Sequence, residues 1–215
     1  MGITERKQRQ KAELREHILT AARDIVLREG FGGLSMRKLA EAVEYAPATL
    51  YVHFQNRDEI ARELSRRGFQ ELLGFFEPVV GIADPLERLR AVAEAYVRFG
   101  MGHPETYRLV FMEDPKLSSA VLHGGPDDPG ARSFHVLEAA FEELAAQGRL
   151  AADADPRRLA EVFWTGVHGV VSLKLTCTNF LQTPAEALTD TFTRTFLDGL
   201  PKPSSRSPTQ GNAST

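Results

Sequence analysis

Apolar side chains recur along this chain at three- and four-residue steps, the period of one helix face. Over residues 10–28, Leu14, Ile18, Ala21, Ala22 and Ile25 form such a stripe. Gly30 follows where a helix stop belongs, with Phe31 behind it as an anchor. Ser35 stands at an N-cap position ahead of Met36, Leu39, Ala40 and Val43, which predict a short second helix. After Glu44, Tyr45 and Ala46, Pro47 suits the first position of a third helix that carries Leu50 and Phe54 one turn apart. Three short helices with a four-residue turn between the second and third make a helix-turn-helix.

A longer helix begins at Asp58, takes its apolar side from Leu64, Leu72, Leu73 and Phe76, and ends at Pro78, Gly81 and Pro85. Further helices are predicted over residues 86–101, 104–112, 131–146, 156–175 and 184–197. Residues 113–130 are a break rich in Pro, Gly and Asp, and a loop of that length is commonly functional or mobile. There is no alternating strand pattern and no internal repeat. The expected class is all-α, with an N-terminal three-helix helix-turn-helix domain followed by a C-terminal helical bundle.

Composition adds limits. Apolar residues make up 42 % of 215, enough for a core, which excludes wholesale disorder. No uncharged run exceeds about a dozen residues, as over residues 162–173, far short of the roughly 20 a membrane-spanning helix needs. The first fifteen residues are basic without an apolar run, unlike a secretory signal. A cytoplasmic protein with no membrane partner is therefore expected. A single cysteine, Cys177, forbids an intrachain disulfide and any cysteine-rich zinc site. Residues 201–215 hold four Ser and no large apolar side chain, and predict a disordered tail.

The net charge of −3 hides an asymmetry. Residues 1–68 carry 13 Lys and Arg against 10 Asp and Glu, a balance of +3, while the remainder carries 13 against 19, a balance of −6. A basic end on an acidic body suits a protein that meets a polyanion at one end only. Arg6, Lys7, Arg9, Lys11 and Arg15 concentrate that charge. With only Ile3 to fasten the start of the chain before Leu14, residues 1–9 are expected to be a flexible basic arm. Such an arm either lies along DNA or stays in solvent.

The second helix of a helix-turn-helix can enter the major groove, where base edges are distinguishable. Here it offers Pro47, Ala48, Thr49, Tyr51, Val52 and His53 away from its packed face. Tyr51 and His53 can hydrogen-bond phosphate oxygens, and Thr49 can present a hydroxyl or a methyl to a base. Arg37, near the start of the supporting helix, has the planar fork that grips guanine or a phosphate.

Taken together, Gly30-Phe31, Leu34-Ser35-Met36-Arg37-Lys38-Leu39-Ala40, Ala48-Thr49-Leu50-Tyr51-Val52-His53-Phe54 and Arg57-Asp58-Glu59-Ile60 resemble the DNA-binding domain of the tetracycline-repressor (TetR) family, over about residues 10–62. The resemblance implies a homodimeric transcription factor, usually a repressor, that binds a palindromic DNA operator and whose C-terminal helices bind a small-molecule inducer. The family's phosphate-contacting Tyr and His map onto Tyr51 and His53. Its basic residue at the start of the fourth helix maps onto Arg57, and Arg37 matches an arginine that contacts a base or phosphate in some members. The turn departs from the family. Where members commonly read Ala-Gly-Val-Ser, this chain has Val43-Glu44-Tyr45-Ala46, without the glycine that allows a positive φ or the serine that caps the reading helix. The implied boundaries are an arm over 1–9, a helix-turn-helix domain over 10–56 and a ligand-binding and dimerisation domain over 57–200.

The predicted helix over 156–175 is apolar nearly all round, as expected of a helix buried on several sides. With Leu188, Phe192 and Phe196 on the next helix, its Phe163 and Val170 are the candidate dimer contacts, and the resemblance implies that these last two helices pair with their copies. Trp164, His168 and Gly169, with His103-Pro104-Glu105 and Tyr107-Arg108-Leu109 before them, look like the Trp-His-Gly subgroup of the family's C-terminal domains. For an inducer cavity, Phe76, Phe99, Tyr107, Phe111, Phe134 and Trp164 are candidate walls, and His103 and His168 are candidate polar contacts.

Two other classes compete with this reading. An enzyme would have to use Cys177 as nucleophile, or a metal held by His123, His135 and His168. Cys177 has no local activating charge, and the histidines lack ligand spacing on one helix face, so no catalysis, cofactor or metal is expected. A helical adaptor would share the charge asymmetry but leave the Thr49-Leu50-Tyr51 and His53-Phe54 pattern unexplained.

Overall fold

A computed structural model describes residues 2–113 and 125–202. Most of the 113–130 break, His123 and nearly all of the expected tail lie outside the described residues. Among the described residues the chain is helical throughout, without a strand. The helices are α1 (Ile3–Glu29), α2 (Met36–Ala42), α3 (Pro47–Tyr51), α4 (Arg57–Phe76), α5 (Pro85–Gly102), α6 (Pro104–Phe111), α7 (Pro129–Ala146), α8 (Pro156–Thr176) and α9 (Ala185–Asp198). The described residues form two compact units, one within 1–75 and 99–133, the other within 76–98 and 134–202. Helix α5 contributes to both.

In the first unit, Ile18, Leu19, Ala22, Ile25 and Val26 of α1 are buried with Leu39 and Ala40 of α2, Leu50 of α3, Phe54 just beyond it, and Ile60, Ala61 and Leu64 of α4. The sequence stripes therefore face one core. Helix α1 stops at Gly30, whose φ of 71° turns the chain while its N–H donates to the Val26 carbonyl (2.7 Å). Ser35 caps α2 by accepting from the Lys38 N–H at 3.2 Å. The segment expected to be a flexible arm is already helical from Ile3 onward, and the Glu5 carboxylate accepts from the Gly2 N–H (2.9 Å) at its start. Every described side chain from Thr4 to Glu13 is exposed.

In the second unit, α8 buries Ala160, Phe163, Val167 and Val171 along one face, with Phe163 edge-on to Phe141 of α7 (6.0 Å), and Leu137 and Leu144 of α7 are buried as well. Helices α8 and α9 approach closely at Gly166, where a Cβ would fall 2.1 Å from the Phe192 ring. Any side chain there would unseat that ring.

Candidate nucleic-acid interface and ligand groups

The turn between α2 and α3 uses a Schellman ending. The Tyr45 N–H donates back to the Ala40 carbonyl (3.0 Å) and the Glu44 N–H to the Glu41 carbonyl (3.3 Å). That pattern needs a left-handed residue at its corner, and Glu44 supplies it with φ 58°, the one non-glycine with positive φ among the described residues. The residue sits where the family commonly has glycine, so the departure read from the sequence is a strained corner in the fold. Helix α3 then starts at Ala46-Pro47 with no side-chain cap. A reading helix of five residues thus lacks both the relaxed corner and the cap.

What holds it is packing and partners outside it. Leu50 and Phe54 are sunk in the core, which turns Tyr51 (54 % exposed) and Val52 (66 % exposed) to solvent. Pro47 and Ala48 are exposed and Thr49 is half-buried on the same short helix. His53 is half-buried. Its Nδ1 is shut off from solvent without a hydrogen-bond partner, so a phosphate contact would run through Nε2. Burial first, then the charges of Lys11 and Arg15, hold the imidazole below its ordinary pKa, which favours its neutral form.

Two expected DNA contacts already have surface partners. Arg37 Nε lies 3.1 Å from Glu41 Oε1 on its own helix, and Arg57 Nε lies 3.2 Å from Asp58 Oδ1. Both pairs are well exposed, and such pairs are worth about 0–1 kcal/mol, so a phosphate or guanine can displace them. Lys38 pairs with Glu29 and ties α2 to α1. Asn56 Oδ1 accepts from the Glu59 N–H (2.9 Å) and Glu59 Oε2 from the Gln55 N–H (2.6 Å), which fixes the start of α4 beside Arg57. Behind it, Arg67 donates to both Glu16 oxygens (2.6 and 2.7 Å) and to Glu63 (3.0 Å), fastening α4 to α1. Hydrogen bonding from Arg66, reinforced by Arg67, pulls the Glu63 carboxyl down to about 2.

The expected ligand groups fall in two clusters. In the first unit, Phe99, His103, Tyr107 and Phe111 come together at the α5–α6 corner. The His103 ring stacks on Phe99 (5.9 Å), and its Nδ1 lies 2.6 Å from Glu71 Oε1. Tyr107 and Phe111 are 4.9 Å apart. In the second unit, Trp164 Nε1 donates to the Tyr96 hydroxyl (3.2 Å), which lies 3.1 Å from His168 Nδ1, and Phe134 meets Trp164 edge-on. Burial holds His168 below its ordinary pKa, which favours the neutral imidazole. Phe76 is buried. Sequence reasoning missed Tyr96, whose position looks like any core position of an amphipathic helix.

Among the candidate dimer contacts, Phe163 needs correcting. It is wholly buried, ringed by Phe141, Phe192 and Phe196, and is a core residue of its own unit. Val170, Leu188, Phe192 and Phe196 are half-buried. The outward face of α8 shows Val162 and Leu173 instead, eleven residues apart and so on one side of the helix. Cys177 is exposed at the end of α8. Among the described residues no cluster of His, Cys, Asp or Glu is grouped as a metal site, and no helix is long and apolar enough to cross a membrane.

A solvent-facing helix entered through a strained corner and braced by a helical core, joined to a second helical unit, is the architecture of a helix-turn-helix transcriptional regulator. Residues 18–64 match the family model for bacterial regulatory proteins of the tetR family, and residues 89–198 match the tetracyclin repressor-like C-terminal domain. The chain belongs to the TetR family. Over 67 residues it is 36 % identical to an uncharacterized HTH-type transcriptional regulator of Haemophilus influenzae, a stretch that is 31 % of this chain and 36 % of that protein. The HTH-type transcriptional activator FasR of Mycolicibacterium smegmatis is 28 % identical over 103 residues, 47 % of either chain. The chain thus spans between about a third and a half of the length of these two relatives. The transcriptional regulator AcuR of Cereibacter sphaeroides is 27 % identical over 195 residues, 85 % of this chain and 84 % of that one.

Solved structures agree on the fold. A protein of unknown function from Rhodococcus sp. RHA1 superposes with a TM-score of 0.68 at 24 % identity, covering 88 % of this chain and 96 % of that one. AibR in complex with isovaleryl coenzyme A and operator DNA gives 0.60 at 23 % identity, covering 84 % and 96 %.

Proposed function

We propose that the chain is a cytoplasmic, homodimeric repressor that binds a palindromic operator and is released by a small-molecule inducer, with no catalytic step and no cofactor. The observation that carries the DNA reading is α3, whose buried Leu50 and neighbouring Phe54 turn Tyr51 and Val52 outward beside His53. In this reading Tyr51, His53 and Arg57 hold phosphates, while Arg37 and Thr49 read bases, with Pro47 and Ala48 against the groove. A reading helix this short covers only a few base pairs, so useful affinity requires two half-sites about one helical turn apart. Val162, Val170, Leu173, Leu188, Phe192 and Phe196 are the residues proposed to meet a second copy.

For the inducer we favour the Trp164–Tyr96–His168 group as polar contact in a domain assigned to residues 57–200. The Trp-His-Gly subgroup remains part of this proposal. Because AibR was solved with an acyl-coenzyme A and operator DNA, short-chain acyl thioesters are the first ligand class to test.

The test is fluorescence anisotropy on DNA from upstream of the chain's own gene, against scrambled DNA, at two salt concentrations. Tyr51→Phe, His53→Ala and Arg57→Ala are expected to weaken both DNAs about equally, and Arg57→Ala to lower the salt slope by about one. Arg37→Ala and Thr49→Ala are expected to erode discrimination, by about 1–3 kcal/mol if Arg37 makes a bidentate base contact. Equal loss on both DNAs for Arg37→Ala would make it a phosphate clamp. No preference of the wild-type chain for its upstream DNA would leave the adaptor reading.

A further inference from the structure

Arg15 belongs by sequence to the run of cations expected along DNA, yet the fold turns it inward. Its Nη1 donates to the His53 carbonyl (3.0 Å), and its guanidinium carbon sits 4.1 Å over the Phe54 ring. The two contacts grip consecutive residues at the exit of α3. Inside α3 the chain satisfies itself only briefly, with the Val52 N–H on Thr49 and those of His53 and Phe54 on Leu50. Past that point the His53 carbonyl has no helix to continue into, because α3 ends at Tyr51 and the chain turns toward α4 at Arg57. Arg15 supplies the missing donor from 38 residues away.

Resting on the reading of α3 as the recognition helix, we propose that Arg15 is a positioning residue for DNA recognition: it fixes the exit of α3, and with it the aim of that helix's base-facing residues Pro47, Ala48 and Thr49, without touching DNA. The need for it follows from the local defects. A five-residue helix without a side-chain cap, entered through a strained Glu44, cannot hold its own orientation. A planar cation is suited to the task. It donates in the plane of its fork and stacks across that plane, so one group holds the carbonyl and covers the ring. A lysine ammonium has no plane to stack.

A cation aimed at phosphate and one that aims the helix leave different signatures. For Arg15→Gln we expect affinity for the upstream DNA to fall about tenfold, affinity for scrambled DNA to stay within about twofold, and the salt slope to stay unchanged. Amide exchange at Thr49–Phe54 is expected to quicken in the free protein while Ile18, Ala22 and Ile25 keep their protection. Arg15→Lys keeps the charge and is expected to lose discrimination as well, which keeps the question open to measurement should the glutamine variant fail to fold. Equal losses on both DNAs with a slope shallower by about one would overturn the proposal, as would wild-type discrimination in Arg15→Lys. Unchanged exchange at Thr49–Phe54 would also overturn it. That measurement needs no DNA, so it judges Arg15 even if the wild-type chain shows no operator preference, a result that would instead count against the recognition reading itself.

Discussion

Two corners of this molecule are built on the same backbone pattern with opposite residues. Between α2 and α3, the Tyr45 N–H returns to the Ala40 carbonyl and Glu44 takes the left-handed position. After α7, the Arg149 N–H returns to the Leu144 carbonyl (2.9 Å) and Gly148, at φ 69°, takes that position. Each corner leads to a helix with proline at its first position. Ala46 leaves α3 uncapped, whereas the Asp155 carboxylate accepts from the Arg157 and Arg158 N–H groups (3.0 and 3.3 Å) ahead of α8. The α7–α8 corner is stable by local chemistry. The α2–α3 corner borrows its stability from other helices, through the core, through Arg15 and through the Arg67 bridge of α4 to α1. An element that must fit a groove can accept this, because its orientation is then set by the frame around it.

Loosening the residue that bridges two helices should cost most: Arg67 joins α4 to α1 through Glu16, and Glu63 is the carboxylate of its own helix that holds it in place. Glu63→Gln is expected to lower stability at neutral pH by on the order of 1–2 kcal/mol, after allowance for screening by water. Its carboxyl titrates near 2 in the folded chain against an ordinary 4.5. The stabilisation is therefore complete above about pH 4.5 and is lost as pH falls toward 2. Thermal melts across that window should show the wild-type advantage shrinking, and a constant gap would refute the assignment.

Next comes the local cap. Asp155→Ala should cost about 1 kcal/mol, and Ala46→Ser should return a comparable amount to α3. If chemical denaturation shows neither change, caps are not what separates the corners. Gly148→Glu should cost about 1 kcal/mol through backbone strain alone, since a Cβ there meets nothing within 4 Å. The smallest effect is expected from Glu44→Gly, a gain of about 0.5 kcal/mol, because relief of strain is partly cancelled by the freedom glycine adds to the unfolded chain. A loss on Glu44→Gly would mean that the glutamate side chain is itself needed at the corner.

The contrast also explains what could be read from the sequence. Among the described residues, periodicity located each α-helix, because each buries a stripe, though α1 starts at Ile3, seven residues ahead of the stripe over 10–28, and Gly30, Ser35 and Pro47 marked ends through chemistry confined to a few residues. The Glu44 corner was legible for the same reason. The inward turn of Arg15 was not, since it depends on a carbonyl 38 positions away. Nor was the fate of Phe163. The helix over 156–175 is apolar on two sides, and composition does not say which side meets its own core, so Phe163 went to that core and Val162 and Leu173 to the surface. Tyr96 gave no signal because its hydroxyl partners, Trp164 and His168, are some 70 residues downstream.

The unbroken α1 gives the chain a ruler. At 1.5 Å per residue, its 27 residues run about 40 Å, and residues 3–13, ahead of the half-buried Leu14, account for about 16 Å of that. On a duplex with about 3.4 Å per base step, this overhang spans close to five base pairs. Arg6 and Lys7 would thus stand at set distances from Tyr51 and His53, where a flexible tail would sample many. If that segment lies along DNA, the reach of its cations is set by helix length, and inserting or deleting residues ahead of Leu14 would shift them in steps of 1.5 Å while rotating them by about 100° each time.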